Sequence, residues 1–152
     1  MPYPLKSARR LVAIIALVLW ALSLVLPAAS FARSGYEYAP GVLIAMVGIV
    51  FGWAIFQFGA FANPILLLIC ARLIFGAKAW VWLAVIAEIL ALWSFTWSDF
   101  PDDAGDNLIQ HFSSGFYAWQ LAIVLVAAYA LFEKRLIMAG YIAAPVVIIP
   151  QS

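Results

Sequence analysis

Residues 80–97, WVWLAVIAEILALWSFTW, decide the fold class, because this apolar run of eighteen residues contains one charged residue, Glu88. An α-helix rises about 1.5 Å per residue, so a run of this length reaches across most of the roughly 30 Å hydrocarbon core of a bilayer. Tryptophans at both ends of the run suit the two membrane–water interfaces, where indole rings are enriched. The run therefore predicts a membrane-spanning helix.

The composition of the whole chain leads to the same class of protein. Of its 152 residues, 68% are hydrophobic and 10% are charged, whereas soluble globular proteins are about 45 to 50% apolar and about 25% charged. A soluble globular domain is therefore excluded, and lipid is the expected solvent for much of the surface. The net charge of +1 gives no indication of a nucleic-acid partner, and the single cysteine, Cys70, excludes an internal disulfide.

Three further apolar runs are long enough to span a bilayer, at residues 11–27, 41–61 and 115–132. The first resembles a secretory signal, but the apolar runs that follow it favour a retained transmembrane helix. A shorter run, 64–75, follows Asn63-Pro64, where Asn suits a helix N-cap and Pro the first helical position. We expect this run to form a short re-entrant or tilted helix, since about a dozen residues rarely cross a bilayer.

Basic residues set the expected orientation, because cytoplasmic loops of membrane proteins carry an excess of Lys and Arg. If 64–75 does not cross, seven of the eight basic residues fall on one side and only Arg33 on the other. If it crosses, they split three to five. The favoured arrangement is one all-α membrane domain with four crossings, both termini cytoplasmic and outer loops at 28–40 and 98–114. The seven residues are Lys6, Arg9, Arg10, Arg72, Lys78, Lys134 and Arg135.

Two glycines in the run 41–61 are candidates for close helix packing. Gly48 and Gly52 are four residues apart, and small residues at this spacing let another helix approach closely. Packing inside the bundle is the favoured interpretation, and a dimer interface is the alternative.

Glu88 is the leading candidate for a functional residue. It lies near the middle of 80–97, where an ionised carboxylate costs several kcal/mol unless it pairs, faces water or stays protonated. A structural role, in which Glu88 bonds to Arg72 or Gln120 and fixes helix packing, is favoured over a role as an intramembrane proton or cation site. Gln57 and Gln120 are further polar side chains that we expect to face the bundle.

The outer loop 98–114 carries a cluster of acids and the single histidine. Carboxylate oxygens are ligands for Ca²⁺ or Mg²⁺, and an imidazole adds a transition-metal ligand. A solvated acidic loop is the favoured interpretation, and a divalent-cation site is the alternative. Residues 102–106 resemble the DDxxD motif of prenyl diphosphate synthases, but the chain has no second acidic motif, which argues against that family. The candidate ligands are Asp102, Asp103, Asp106 and His111.

Three short segments resemble small multi-pass proteins of the bacterial inner membrane: LVLPA at 24–28, FANP at 61–64 and GFYAW at 115–119. The resemblance extends over most of the chain. It implies a location in the bacterial inner membrane and, because those proteins are uncharacterised, it implies no activity.

The sequence leaves three hypotheses for function. The favoured one is a non-enzymatic accessory, assembly or immunity-type protein that binds another membrane protein or itself. The alternative is a small oligomeric channel or transporter with Glu88 as its ion or proton site. The third is a membrane-bound, metal-dependent enzyme that uses the aspartates of the outer loop. No cofactor is expected apart from a divalent cation at that loop.

Overall fold

A computed structural model describes residues 3–31, 38–102 and 105–138, and within them the chain is mostly helical with a small sheet. The helices are α1 (Tyr3–Val25), α2 (Gly41–Phe51), α3 (Ala62–Ile74), α4 (Val81–Trp93) and α5 (Ser114–Met138). Short 3₁₀ turns precede α3, at Gly59–Phe61, and follow α4, at Ser94–Thr96. The strands are β1 (Pro27–Phe31), β2 (Tyr38–Pro40), β3 (Asp99–Asp102) and β4 (Gly105–Phe112).

Four helices, α1, α3, α4 and α5, form a bundle in which each packs mainly against two neighbours. Neighbouring helices are antiparallel. Arg9 near the start of α1 bonds to Glu133 near the end of α5, and Trp20 near the end of α1 bonds to Asn63 at the start of α3. The connection between α3 and α4 is too short to run back along the length of the bundle, so these two helices are also antiparallel.

The core of the bundle combines alanines on α1 and α4 with larger side chains on α3 and α5. Leu66, Ile69 and Leu73 share one face of α3 and are fully enclosed. The outer faces of the bundle helices are also apolar: Leu11 and Val18 of α1 and Leu121 of α5 are more than half exposed. Helices that are apolar on every side are typical of a large core or a membrane. The enclosed alanines include Ala13, Ala16, Ala84, Ala87 and Ala91.

The second apolar run differs from the continuous helix that the sequence predicts over 41–61. α2 ends at Phe51, and a turn leads to the next helical segment at Gly59. A Cβ on Gly52 would lie 2.1 Å from the carbonyl oxygen of Gly48 and 2.3 Å from that of Gln57, so the chain folds back tightly over this glycine. Hydropathy does not reveal such a turn, because its residues are as apolar as those of a helix.

α3 occupies the position of the short helix that the sequence predicts over 64–75, but its N-terminus differs. The N-cap is Phe61, without a side-chain cap bond, and not Asn63. The Nδ2 of Asn63 donates instead to the carbonyl oxygen of Ala60, at 2.8 Å. Asn63 therefore lies inside the first turn, where its side chain remains available to other helices.

A sheet joins the two segments that the sequence predicts as loops at 28–40 and 98–114. Its strand order is β2-β1-β4-β3, with antiparallel pairing throughout. Ala29 lies opposite Phe112, and Ser30 opposite His111. The sheet lies where α1 and α4 end and α3 and α5 begin, which we call the sheet end of the bundle. The expectation of an all-α chain is thus corrected to a helical bundle with a small sheet at one end.

Two helices are long and apolar enough to cross a membrane by length and composition: α1 over Leu5–Val25, and α5. α3 with its preceding turn, Gly59–Ile74, and α4 with its following turn, Val81–Thr96, are apolar but shorter. At 1.5 Å per residue each of these two reaches about 24 Å, somewhat less than a typical hydrocarbon core.

Candidate functional site

A buried ion pair joins α1 to α5. The Nε of Arg9 donates to the Oε1 of Glu133 at 2.9 Å, and its Nη2 contacts the same oxygen. Its Nη1 donates to the carbonyl oxygen of Gly76 in the turn between α3 and α4. Arg9 is 8% exposed and Glu133 is 3% exposed. One guanidinium group therefore holds three parts of the bundle together at the end opposite the sheet.

This pair is not predicted from the sequence, in which Arg9 belongs to the group of basic residues expected at the membrane surface. One signal was available: Glu133 is an isolated acid directly followed by Lys134 and Arg135, on the last turns of a helix. On a helix, Lys134 and Arg135 project in other directions than Glu133 and do not face its carboxylate. A basic partner for Glu133 is therefore expected from another part of the chain.

The six other basic residues that the structure describes lie at the same end as Arg9. Arg10 donates from Nε to the carbonyl oxygen of Ile74 at 3.1 Å, and the Lys6 side chain lies beside Gly76. Arg72 and Lys78 flank the turn between α3 and α4, and α5 ends close to them. We call this region the basic end. Its residues are Lys6, Arg9, Arg10, Arg72, Lys78, Lys134 and Arg135.

An amide joins three helices near the sheet end. The Oδ1 of Asn63 accepts hydrogen bonds from Trp20 Nε1 of α1 at 2.8 Å and from Trp119 Nε1 of α5 at 3.0 Å. With its Nδ2 bonded to Ala60, this buried side chain has three hydrogen bonds. The indole of Trp119 thus forms a contact inside the bundle.

Gln120 joins α5 to the end of α4. Its Nε2 donates to the carbonyl oxygen of Ala91 at 2.6 Å and lies 3.2 Å from the Oγ of Ser94. Gln57 lies in the turn after α2, where its Nε2 donates to Thr96 Oγ1 at 3.3 Å. The Oε1 of Gln57 is enclosed and has no hydrogen-bond partner among the described residues.

Glu88 lies midway along the helical segment Val81–Thr96 and has neither of the partners that the sequence suggests. The Nε of Arg72 donates to the carbonyl oxygen of Lys78 at 3.2 Å, and its guanidinium lies 3.7 Å from the ring centroid of Trp80. The amide of Gln120 is bonded to Ala91. The expected pairing of Glu88 is therefore corrected: both candidates bond elsewhere, because Arg72 lies at the basic end and Gln120 near the sheet end.

The carboxyl group of Glu88 lies at the border between the core and the outer surface. Ala84 and Ala91, one turn to either side, are enclosed, whereas Ile89 and Leu92 are more than half exposed. Glu88 itself is partly buried, and its Oε2 is enclosed without a hydrogen-bond partner among the described residues. A carboxyl oxygen thus lies unpaired beside the exposed apolar face of α4.

Those of the remaining candidates that the structure describes lie at the sheet end. His111 is exposed on β4, Asp103 lies outside the described residues, and so do the side chains of Asp102 and Asp106. Among the residues whose side chains are described, no group of three His, Cys, Asp or Glu could hold a metal ion. Gly48 of α2 lies directly against Ala60 and the Trp97 ring.

A cavity of about 50 Å³ lies beneath the sheet and is lined almost entirely by apolar groups. Its walls include Ala29 of β1, Ile44 of α2 and Phe116 of α5. Glu88 does not line it, so the cavity gives no path to this carboxyl group. No known protein family, curated protein or solved structure matches the chain.

Proposed function

We propose that this chain is a multi-pass protein of the bacterial inner membrane in which α1, α3, α4 and α5 cross the bilayer, with both termini cytoplasmic. The exposed apolar faces of the bundle support this placement, because large exposed apolar patches are rare on soluble monomers and mark surfaces that contact proteins or membranes. The collection of seven basic residues at one end supports the orientation, since Lys and Arg are enriched on the cytoplasmic side. In this proposal α3 makes the second crossing in place of the predicted span 41–61. The number of crossings therefore stays at four, and the seven basic residues stay on one side although 64–75 crosses.

Within that membrane we propose that the protein is a non-enzymatic accessory component that binds another membrane protein through the outer face of α4. The single observation that carries this proposal is the unpaired Oε2 of Glu88. A carboxyl group at mid-bilayer depth is costly without a partner, and both candidate donors within the chain bond elsewhere. Because Oε2 is enclosed within the chain, the partly buried Glu88 side chain would turn towards the outer face, where a donor from a second protein seated against Ile89 and Leu92 satisfies the carboxyl group.

The chemistry of the exposed helices favours a different protein over a second copy of this chain. Between their ends, the exposed side chains on the described parts of α1, α3 and α5 are apolar. These faces therefore offer no hydrogen-bond donor to Glu88 of a neighbouring copy. The partner is expected to carry a Lys, an Arg or an amide or hydroxyl donor near the middle of a transmembrane helix.

Site-specific photo-crosslinking in native membranes tests this proposal. In the test variant a photoreactive residue replaces Ile89, next to Glu88. In the control variant it replaces Ile14 on α1, a matched position because Ile89 is 57% exposed and Ile14 is 54% exposed. We expect one cross-linked protein from position 89 and not from position 14. Glu88→Leu, which removes the hydrogen-bonding group, should lower the yield about tenfold, whereas Glu88→Gln, which still accepts a hydrogen bond, should retain it.

Four outcomes overturn the proposal. Equal yields from positions 14 and 89, or a yield that Glu88→Leu leaves unchanged, would mean that Glu88 does not define the contact. A cross-link to a second copy would replace the accessory partner by self-association. Loss of a measured proton or cation flux in Glu88→Gln, with the cross-link intact, would instead assign Glu88 to a transport pathway.

A further inference from the structure

A second cavity lies at the basic end, between the start of α4 and the end of α5. Its volume is about 160 Å³, and it is lined by two lysines, one glutamate and five apolar residues. The lysines are Lys78, from the turn between α3 and α4, and Lys134, from α5. The apolar wall includes Val81, Ile137 and Met138. The cavity therefore has a cationic part and an apolar part.

The charge in this cavity is not balanced within the described part of the chain. Its carboxylate, Glu133, is already paired with Arg9, the one ion pair among the described residues. Among the side chains that the structure describes, no acid is paired with Lys78 or Lys134. The hydrogen bond from Arg72 Nε to the carbonyl oxygen of Lys78 fixes the backbone of one of the two lysines. Two lysines thus line one cavity in which the one carboxylate of the lining, Glu133, is already paired with Arg9.

The helix that starts at this cavity adds to the positive potential. α4 begins at Val81, its N-cap residue Trp80 has no side-chain cap bond, and no acidic residue lies in its first turn. The first backbone N–H groups of a helix carry a partial positive charge and commonly bind anions. An anion in the cavity would therefore lie near Lys78, Lys134 and the N-terminus of α4.

We propose that this cavity binds the phosphodiester headgroup of an anionic phospholipid, with Lys78 and Lys134 contacting the phosphate. Basic pockets between membrane helices on the cytoplasmic side are suited to such headgroups. The apolar wall favours a lipid over free phosphate, because Val81 of α4 and Ala130 of α5 line the cavity on the bilayer side of Lys78 and Lys134, where acyl chains lie. This inference rests on the proposed membrane placement and is independent of Glu88 and its partner.

Lipid titration of the purified protein in mild detergent tests the proposal, with bound lipid counted by native mass spectrometry. The probes are phosphatidylglycerol, phosphatidylcholine and inorganic phosphate. We expect saturable binding of phosphatidylglycerol, at least about tenfold tighter than that of phosphatidylcholine. The double variant Lys78→Gln/Lys134→Gln should weaken phosphatidylglycerol binding about tenfold or more, whereas Lys78→Arg/Lys134→Arg, which keeps both charges, should retain it.

A matched control separates this cavity from the general positive charge of the basic end. Lys6→Gln/Arg135→Gln also removes two positive charges, but from residues that do not line the cavity. This variant should bind phosphatidylglycerol within about twofold of the unchanged protein. Equal losses in both glutamine variants overturn the proposal in favour of a diffuse surface effect. Displacement of phosphatidylglycerol by millimolar inorganic phosphate overturns the lipid assignment. Release of the protein from membranes by alkaline wash would contradict the membrane placement itself.

Discussion

At the scale of single residues, each end of the bundle is fixed by one buried polar side chain with several bonds. Asn63 accepts hydrogen bonds from two indoles near the sheet end, and Arg9 joins Glu133 and Gly76 at the basic end. Lipid provides no hydrophobic force that drives helices together, so packing and hydrogen bonds set their positions. These polar contacts explain how a bundle that is apolar inside and outside keeps one arrangement.

The Arg9–Glu133 pair leads to a prediction about stability. Glu133→Ala leaves a buried guanidinium without its carboxylate and should lower the free energy of unfolding by about 3 to 5 kcal/mol. The double variant Arg9→Met/Glu133→Leu removes both charges and should recover most of that loss, because an apolar pair needs no desolvation of ions. Denaturant titration in detergent measures both values. A double variant that is as unstable as Glu133→Ala would show that packing, rather than the unpaired charge, causes the loss.

At the scale of elements, the turn after α2 depends on close backbone contact at Gly52. A Cβ at this position would lie 2.1 Å from the carbonyl oxygen of Gly48, and a backbone oxygen inside a helix has little freedom to move. Gly52→Ala should therefore lower the free energy of unfolding by about 3 kcal/mol or more, in the upper range for point substitutions. Ala54→Ser, at an exposed position of the same turn, is the control and should change stability by less than about 0.5 kcal/mol. Equal stability of Gly52→Ala and the unchanged protein in a denaturant titration would contradict the tight turn.

The same element shows how far the sequence determines the fold. Long apolar runs predicted helices where α1, α4 and α5 lie, because helix periodicity and length are local properties. The break in 41–61 was not predicted, since the turn is held by long-range contacts: Trp93 Nε1 donates to the carbonyl oxygen of Phe56 at 2.9 Å. The φ of Phe56 is +56°, a conformation that a bulky residue rarely adopts without such support.

The sheet and the polar contacts were missed for the same reason. β1 has no alternating apolar pattern, and it pairs Ala29 with Phe112, which lies in a different connection between helices. Asn63 gave a local signal, an N-cap followed by proline, and its observed role is a contact with two distant tryptophans. The sequence itself shows Glu88 as a charged residue within an apolar run, but its surroundings could not be predicted without the positions of Arg72 and Gln120.

At the scale of the whole molecule, the two ends of the bundle differ in chemistry. One end carries a sheet that closes over an apolar cavity, and the other carries seven basic residues with Glu133 among them. If only α1 and α5 crossed the bilayer, the turn between α3 and α4 would lie on the side of the sheet. If all four bundle helices cross, this turn lies on the same side as the start of α1 and the end of α5, in agreement with the bonds from Arg9 to Gly76 and Glu133.

Cysteine labelling in spheroplasts distinguishes two crossings from four. Cys70 is completely enclosed and is expected not to react with a membrane-impermeant maleimide. Labelling should therefore come from the introduced cysteine alone. Leu108→Cys, at an exposed position of β4, should react in intact spheroplasts, and Lys6→Cys only after permeabilisation. Ala77→Cys, in the turn between α3 and α4, is the deciding variant: four crossings place it inside, so it should react only after permeabilisation. Reaction of Ala77→Cys in intact spheroplasts would place this turn outside and limit the crossings to α1 and α5. Gly76 and Arg9 would then lie on opposite sides of the bilayer, which would contradict the hydrogen bond between them and so the bundle.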